Sequence, residues 1–154
     1  MQAVAIVAPQ MLWVVDLLVR VVAGVEITGV TGYMLDASIP LYRRGLSLFH
    51  GWLPFFLLWL LSRLGYDRRA LATQSAVAIA VLLVSYLFAP APPPSASDPT
   101  RAVNINYVYD FTDKHPQTLM SLWLWVVSVM ALNVIAFYIP THFVLRRVFA
   151  TTRE

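Results

Sequence analysis

Residues 46–89 read "LSLFHGWLPFFLLWLLSRLGYDRRALATQSAVAIAVLLVSYLFA", and this stretch decides the fold. Two nearly unbroken apolar runs, 46–64 and 70–89, flank the tight polar link "GYDRRA". Crossing the hydrocarbon core of a bilayer takes about 20 helical residues. Each run is about that long, so the pair reads as two antiparallel membrane spans joined by a short turn. Arg63, at the end of the first run, can snorkel its guanidinium to the membrane surface.

Two further runs of the same kind lie outward, at 3–22 and 119–139, and the last helix can continue past Pro140 through "THFVLRRVF", with a kink or a turn along the surface. The expected fold is therefore an all-α integral membrane protein with four transmembrane helices in a single domain covering 1–154. Composition agrees. Of 154 residues, 59% are hydrophobic and 12% charged, whereas a soluble domain is about one-quarter charged. The mean hydropathy is +0.68. There is no cysteine, which excludes disulfides, thiolate metal sites and a Cys nucleophile. The net charge of +3 is spread through the loops; that pattern sets topology and is not a nucleic-acid surface. The N-terminal run lacks a basic leader, holds Asp16 and Arg20, and shows no small-residue cleavage site, so it reads as a retained helix. Apolar sequence begins almost at Met1, which leaves room for upstream helices in a longer chain.

Loop lengths separate the two membrane faces. The 65–69 turn is short, whereas 23–45 and 90–118 are long, and the latter opens with the Pro-rich, extended "APAPPPSASDP". Arg63, Arg68, Arg69, Arg146, Arg147 and Arg153 share the face of the short turn and the C-terminal segment 140–154. Arg43, Arg44, Arg101 and Lys114 lie on the other. Six bases against four place both termini in the cytoplasm by the positive-inside rule, in what is expected to be a bacterial inner membrane. The polar, aromatic "NINYVYDFTDKHPQ" (104–117) then sits on the outer face, before the last span. As an interfacial loop it would cap that span; as a long ordered loop it is also a place where sites occur.

Ionisable groups inside spans are costly and are functional candidates by default. Asp16 and Arg20, four residues apart, share a helix face and can pair. His50 lies about one turn into its span beside Gly51, and Pro54 frees the backbone carbonyl near position 50. By depth, Asp16, Arg20, His50, Ser85, Asn104, Asn106, Tyr107, Asp110 and His115 fall in the outer third of the bundle. Four separate segments thus contribute polar groups to one layer. Each has a plain structural reading as well: an ion pair near the interface, an interhelical hydrogen bond, a loop cap. His142 falls near the far end of the last span, away from His50, which disfavours a bis-histidine haem. Gln74 and Asn133 read as interhelical hydrogen-bonders. No recognised catalytic or phosphate-binding motif is present, and no metal site is expected.

The segments "MLWVVDLL", "YMLDASIPLYRRGLSLFHGWLPFFLLWLLSRLGYDRRAL", "NINYVY" and "YIPTHFVLRR" together resemble a family of bacterial multipass proteins labelled only as membrane-associated, which brings no settled activity. A weaker resemblance runs to the androgen-induced superfamily of multipass lipid hydrolases and acyltransferases. That likeness implies an intramembrane His, here His50 in "LSLFHGWLPFFLL", and an Asn-Tyr element, here Asn106 and Tyr107. Those proteins use a Thr or Cys nucleophile; with no Cys and no Thr beside His50, Ser47 or Thr112 would have to serve.

Three readings follow. The first is a membrane enzyme or binding site for a lipid or other amphiphile, with His50 as base, Asp16 as its partner, and Arg20, Asn104, Asn106, Tyr107, Asp110 and His115 on the substrate. It expects Asp16 and His50 within hydrogen-bond reach. The second is a non-catalytic accessory or scaffold subunit, whose partners are the lipid bilayer and other membrane subunits but not nucleic acid. The third is a pigment or haem binder through His50. No cofactor is implied by a motif, and a transporter is disfavoured by the absence of paired broken helices or inverted repeats.

Overall fold

The computed structural model describes residues 1–89, 105–110 and 117–149. Its helices are α1 (Gln2–Ala23), α2 (Leu41–Leu46), α3 (Phe49–Leu64), α4 (Ala70–Phe88), α5 (Leu122–Leu132) and α6 (Ile139–Val148). Short 3-10 turns occupy Gly32–Met34 and Ile105–Tyr107, and a π-helical segment, Asn133–Tyr138, carries α5 into α6 without a break. Among the described residues, four helical stretches are long and apolar enough to cross a membrane: Gln2–Ala23, Leu41–Leu64, Ala70–Phe88 and Leu122–Val148. Large apolar side chains such as Leu18, Trp52, Val84 and Leu124 stand exposed along all four, as lipid-facing surfaces do. The protein is a helical, multipass membrane protein.

Three span limits differ by three residues or more from the sequence expectation. The second stretch starts at Leu41 rather than 46, behind Pro40, and carries Arg43 and Arg44 in its first turns. An apolar-run criterion stops before such residues, although they are good helix formers. The helix tightens between α2 and α3, where the amides of Ser47 and Leu48 reach back three residues to the carbonyls of Arg44 and Gly45 (3.1 Å each). The fourth stretch starts at Leu122 rather than 119 and runs through Pro140 to Val148, taking up the continuation beyond 139. Pro140 has no amide to give and crowds the turn before it. The chain absorbs this with the wider π turn at Asn133–Tyr138, a usual remedy for a misfit in the helical ladder. Asn133 donates from Nδ2 to the Val129 carbonyl of its own helix (2.8 Å), a different role from the interhelical one its position suggested.

The chain folds as two compact units, Met1–Ala70 with Pro140–Glu154, and Leu71–Ile139. In the first, α1 packs along α3, and Val4 of α1, Pro54 of α3 and Leu145 of α6 are among its fully buried side chains. The 65–69 turn is fastened to the end of α6, since the Tyr66 amide donates to the Phe149 carbonyl (3.1 Å). Asp67 caps the start of α4, accepting from the Arg69 amide at 2.8 Å. The second unit is built on Leu82, Val108, Tyr109, Trp125, Val126 and Val129. There Gln74 of α4 and Tyr138 are both buried.

Candidate functional site

Asp16 is the only acidic residue within the four spanning stretches, and no part of it reaches solvent (0% exposed). Its Oδ1 accepts from the Thr28 amide at 2.7 Å. Its Oδ2 accepts from the Thr31 amide at 3.1 Å and the Thr31 hydroxyl at 2.5 Å. All three donors come from the loop that follows α1. That loop doubles back along the last two turns of the helix, because α1 ends in left-handed Gly24 (φ 67°), the conformation glycine adopts most cheaply. Gly29 repeats the left-handed turn (φ 79°), and a Cβ there would meet the Glu26 carboxylate at 2.5 Å. Non-helical backbone at membrane depth needs partners from protein. The Asp16 carboxylate supplies them.

Arg20 does not pair with Asp16. It lies 3.0 Å from Glu26 of the same loop, with its guanidinium packed over Gly32. The Glu26 side chain is 63% exposed, so this ion pair adds little to stability. Gln10, Trp13, Asp16 and Arg20 are spaced three, three and four residues apart, one polar face of α1. The lower half of that face holds His50. Its Nδ1–H donates to Gln10 Oε1, and its ring stacks against Trp13 and Phe49, with centroids 5.0 and 3.9 Å away. Asp16 and His50 are therefore occupied by different partners, about two helical turns apart along α1, and form no direct hydrogen bond.

The other described histidine contact is near the opposite end of α3. The Tyr66 hydroxyl donates to His142 Nδ1 at 2.7 Å, both residues being buried. Burial, helped by the neighbouring Asp67 charge, pushes the Tyr66 phenol from 10.0 up to about 12. The folded state thus holds this proton more tightly than the unfolded chain does. The resulting stability is complete below pH 10 and is lost as pH rises through about 12. Tyr66→Phe is expected to flatten the stability profile across that window and to cost about 1 kcal/mol at neutral pH. Thermal unfolding in detergent at stepped alkaline pH checks both; a profile unchanged by the substitution would rule the Tyr66 phenol out as its source.

In the second unit, "INYVYD" is docked by its own side chains and backbone. Asn106 donates from Nδ2 to Ser85 Oγ (2.7 Å), and the Tyr109 hydroxyl donates to the Ala89 carbonyl at the end of α4 (2.8 Å). Trp125 Nε1 donates to the Tyr107 carbonyl (2.9 Å). Asn106 and Tyr107 both have left-handed backbones (φ 58° and 59°). Asn tolerates this and Tyr does not do so readily, so the turn depends on the anchors either side of it. Val108 and Tyr109 fill the core. Gln117 accepts from the amides of Leu119 and Met120 (2.8 and 3.0 Å), closing the approach to α5.

Of the residues singled out from sequence, Asp16, Arg20 and His50 lie along one face of α1 and its partner α3. Ser85, Asn106, Tyr107 and Asp110 belong to the second unit. Asn104, Thr112 and His115 lie outside the described residues. Sequence reasoning missed Thr28, Thr31, Gln10, Trp13 and Trp125 as partners; for the α1 residues the three-and-four spacing was the available signal. Among the described residues no three His, Asp or Glu side chains converge as a metal site would require. No family model, curated protein or solved structure matches the chain.

Proposed function

We propose that this protein is a non-catalytic accessory or scaffold subunit of a membrane complex. The observation that carries this reading is Asp16, whose two oxygens are taken by three donors in a site closed to solvent. A catalytic carboxylate has to reach its substrate; this one holds a loop. His50 is likewise engaged, by Gln10. The polar groups that first suggest a reaction centre serve to join α1, its loop and α3.

The surface left for function is the outward face of α3. Trp52, Phe56, Trp59 and Arg63 follow one another at four-, three- and four-residue spacing. Phe56 meets the rings of Trp52 and Trp59 at centroid distances of 5.9 Å, and Arg63 sits 6.0 Å from the Trp59 ring centre. Trp52 and Trp59 are more than half exposed. Stacking fixes their rotamers in advance, so a partner helix loses little further side-chain freedom on binding. Tryptophan and arginine are the side chains that dominate such contacts.

The test is the particle mass after extraction in mild detergent, by light scattering, for the parent and for a Trp52→Ala/Trp59→Ala variant. The parent is expected to travel in a particle heavier than one chain. The double variant is expected to lose its partner at least about tenfold more readily. A single-chain parent that turns over lipid, in a manner abolished by His50→Ala, would overturn the reading in favour of an enzyme.

A further inference from the structure

A cavity of about 480 Å³ lies within the first unit, between α1, α3 and α6. Val7 and Ala8 of α1, Leu58 of α3, and Val144, Leu145 and Val148 of α6 form most of its wall, and Thr141 brings the one hydroxyl. On α6, positions 141, 144, 145 and 148 are one helical stripe. Ala8 stands where a larger residue would fill the space. Val144 and Val148 are exposed at 60% and 64%, so the cavity opens sideways, toward lipid. It is too small for a helix, whose diameter with side chains is about 10 Å or more, and has the dimensions of a site for a single chain-like molecule.

Charge at one end of the cavity specifies more. The stretch Leu122–Val148 has 27 residues and so is about 40 Å long. The hydrocarbon core is about 30 Å thick, so the last turn of this stretch falls at headgroup level. That turn carries Arg146 and Arg147, both exposed. The 66–69 turn, bonded to Phe149, brings exposed Arg68 to the same end. The acid there, Asp67, is committed to the Arg69 amide. An apolar slot in the hydrocarbon layer thus ends, among the described residues, beneath an excess of positive charge in the phosphate layer, Arg68, Arg146 and Arg147 outnumbering Asp67.

We propose that this cavity holds an acyl chain of an anionic phospholipid, with the lipid phosphate against Arg146 and Arg147. The site selects by both parts of the lipid: the slot takes the chain and the arginines choose the headgroup.

Native mass spectrometry of the detergent-purified protein, titrated with phosphatidylglycerol and with phosphatidylcholine of identical acyl chains, tests the proposal. Each arginine near an anionic headgroup is worth about fivefold in affinity, so phosphatidylglycerol should bind at least about fivefold more tightly. Arg146→Gln/Arg147→Gln should abolish that preference, weakening phosphatidylglycerol at least about fivefold more than phosphatidylcholine, whose choline offsets the shared phosphate charge. Val144→Phe, at an exposed position that need not disturb the fold, and Ala8→Phe should each weaken both lipids by partly filling the slot. Equal binding of the two lipids by the parent overturns the proposal. So does a preference that survives the arginine substitutions, or lipid binding unaffected by both phenylalanines. Displacement of phosphatidylglycerol by millimolar inorganic phosphate would also overturn it, because the arginines would then be reading phosphate without the chain.

Discussion

Asp16→Ala is expected to release the 24–31 loop from α1 and to give the largest loss of stability of any single change in the first unit. The carboxylate accepts from the Thr28 amide, the Thr31 amide and the Thr31 hydroxyl, and Thr31 is fully buried. A buried amide left without an acceptor costs about 1–3 kcal/mol; the Thr31 amide and hydroxyl are buried and lose theirs together, and the part-buried Thr28 bond goes with them. Asp16→Asn keeps one acceptor oxygen but turns an N–H2 toward donors, so it should fall between the parent and the alanine variant. Thr31→Val removes only the hydroxyl and should cost about 1 kcal/mol. Thermal unfolding in detergent ranks the three, and hydrogen exchange at the amides of 28 and 31 reports the loop directly. An alanine variant within about 0.5 kcal/mol of the parent, the scatter of neutral surface changes, would show that the carboxylate is not a structural clamp. It would return Asp16 to the list of reactive groups.

The second large effect is expected at Trp125 in the other unit. Its ring fills the cluster with Leu82, Val108, Tyr109, Val126 and Val129, and its Nε1 holds the Tyr107 carbonyl at 2.9 Å. Trp125→Ala leaves a cavity and should cost about 3–5 kcal/mol. Trp125→Phe keeps most of the volume and isolates the hydrogen bond, at about 1 kcal/mol. The amides of 105–110 should exchange faster in both variants, since the left-handed backbone at Asn106 and Tyr107 is held by its neighbours and not by its own preference. Faster exchange in the alanine variant alone would mean that packing anchors the turn and the Trp125–Tyr107 bond does not.

What could be read from the chain divides along physical lines. The number of spans and the short link at 65–69 between the second and third follow from run length and hydropathy. These are local sums over neighbouring residues, to which the bilayer responds directly. Helix ends were less legible. A polar first turn at Arg43 and Arg44 escapes any rule that counts apolar residues, and the continuation past Pro140 was open in the sequence whereas the π turn at Asn133–Tyr138 that carries it was not.

Polar pairing was the hardest part. The four-residue spacing of Asp16 and Arg20 offers an ion pair, and it is a true statement about one helix face. A buried carboxylate nevertheless binds the donors that the following loop presents to it, and here those are exposed Thr28 and buried Thr31, twelve and fifteen residues away. Likewise Ser85 and Asn106, twenty-one residues apart, meet only because α4 and the turn at 105–107 close on one another. The sequence by itself determined that this is a four-span helical membrane protein with polar groups set into its helices. Only the tertiary structure decided that Asp16 holds a loop and that His50 turns to Gln10, because a buried hydrogen bond goes to the group that desolvation leaves with no other partner.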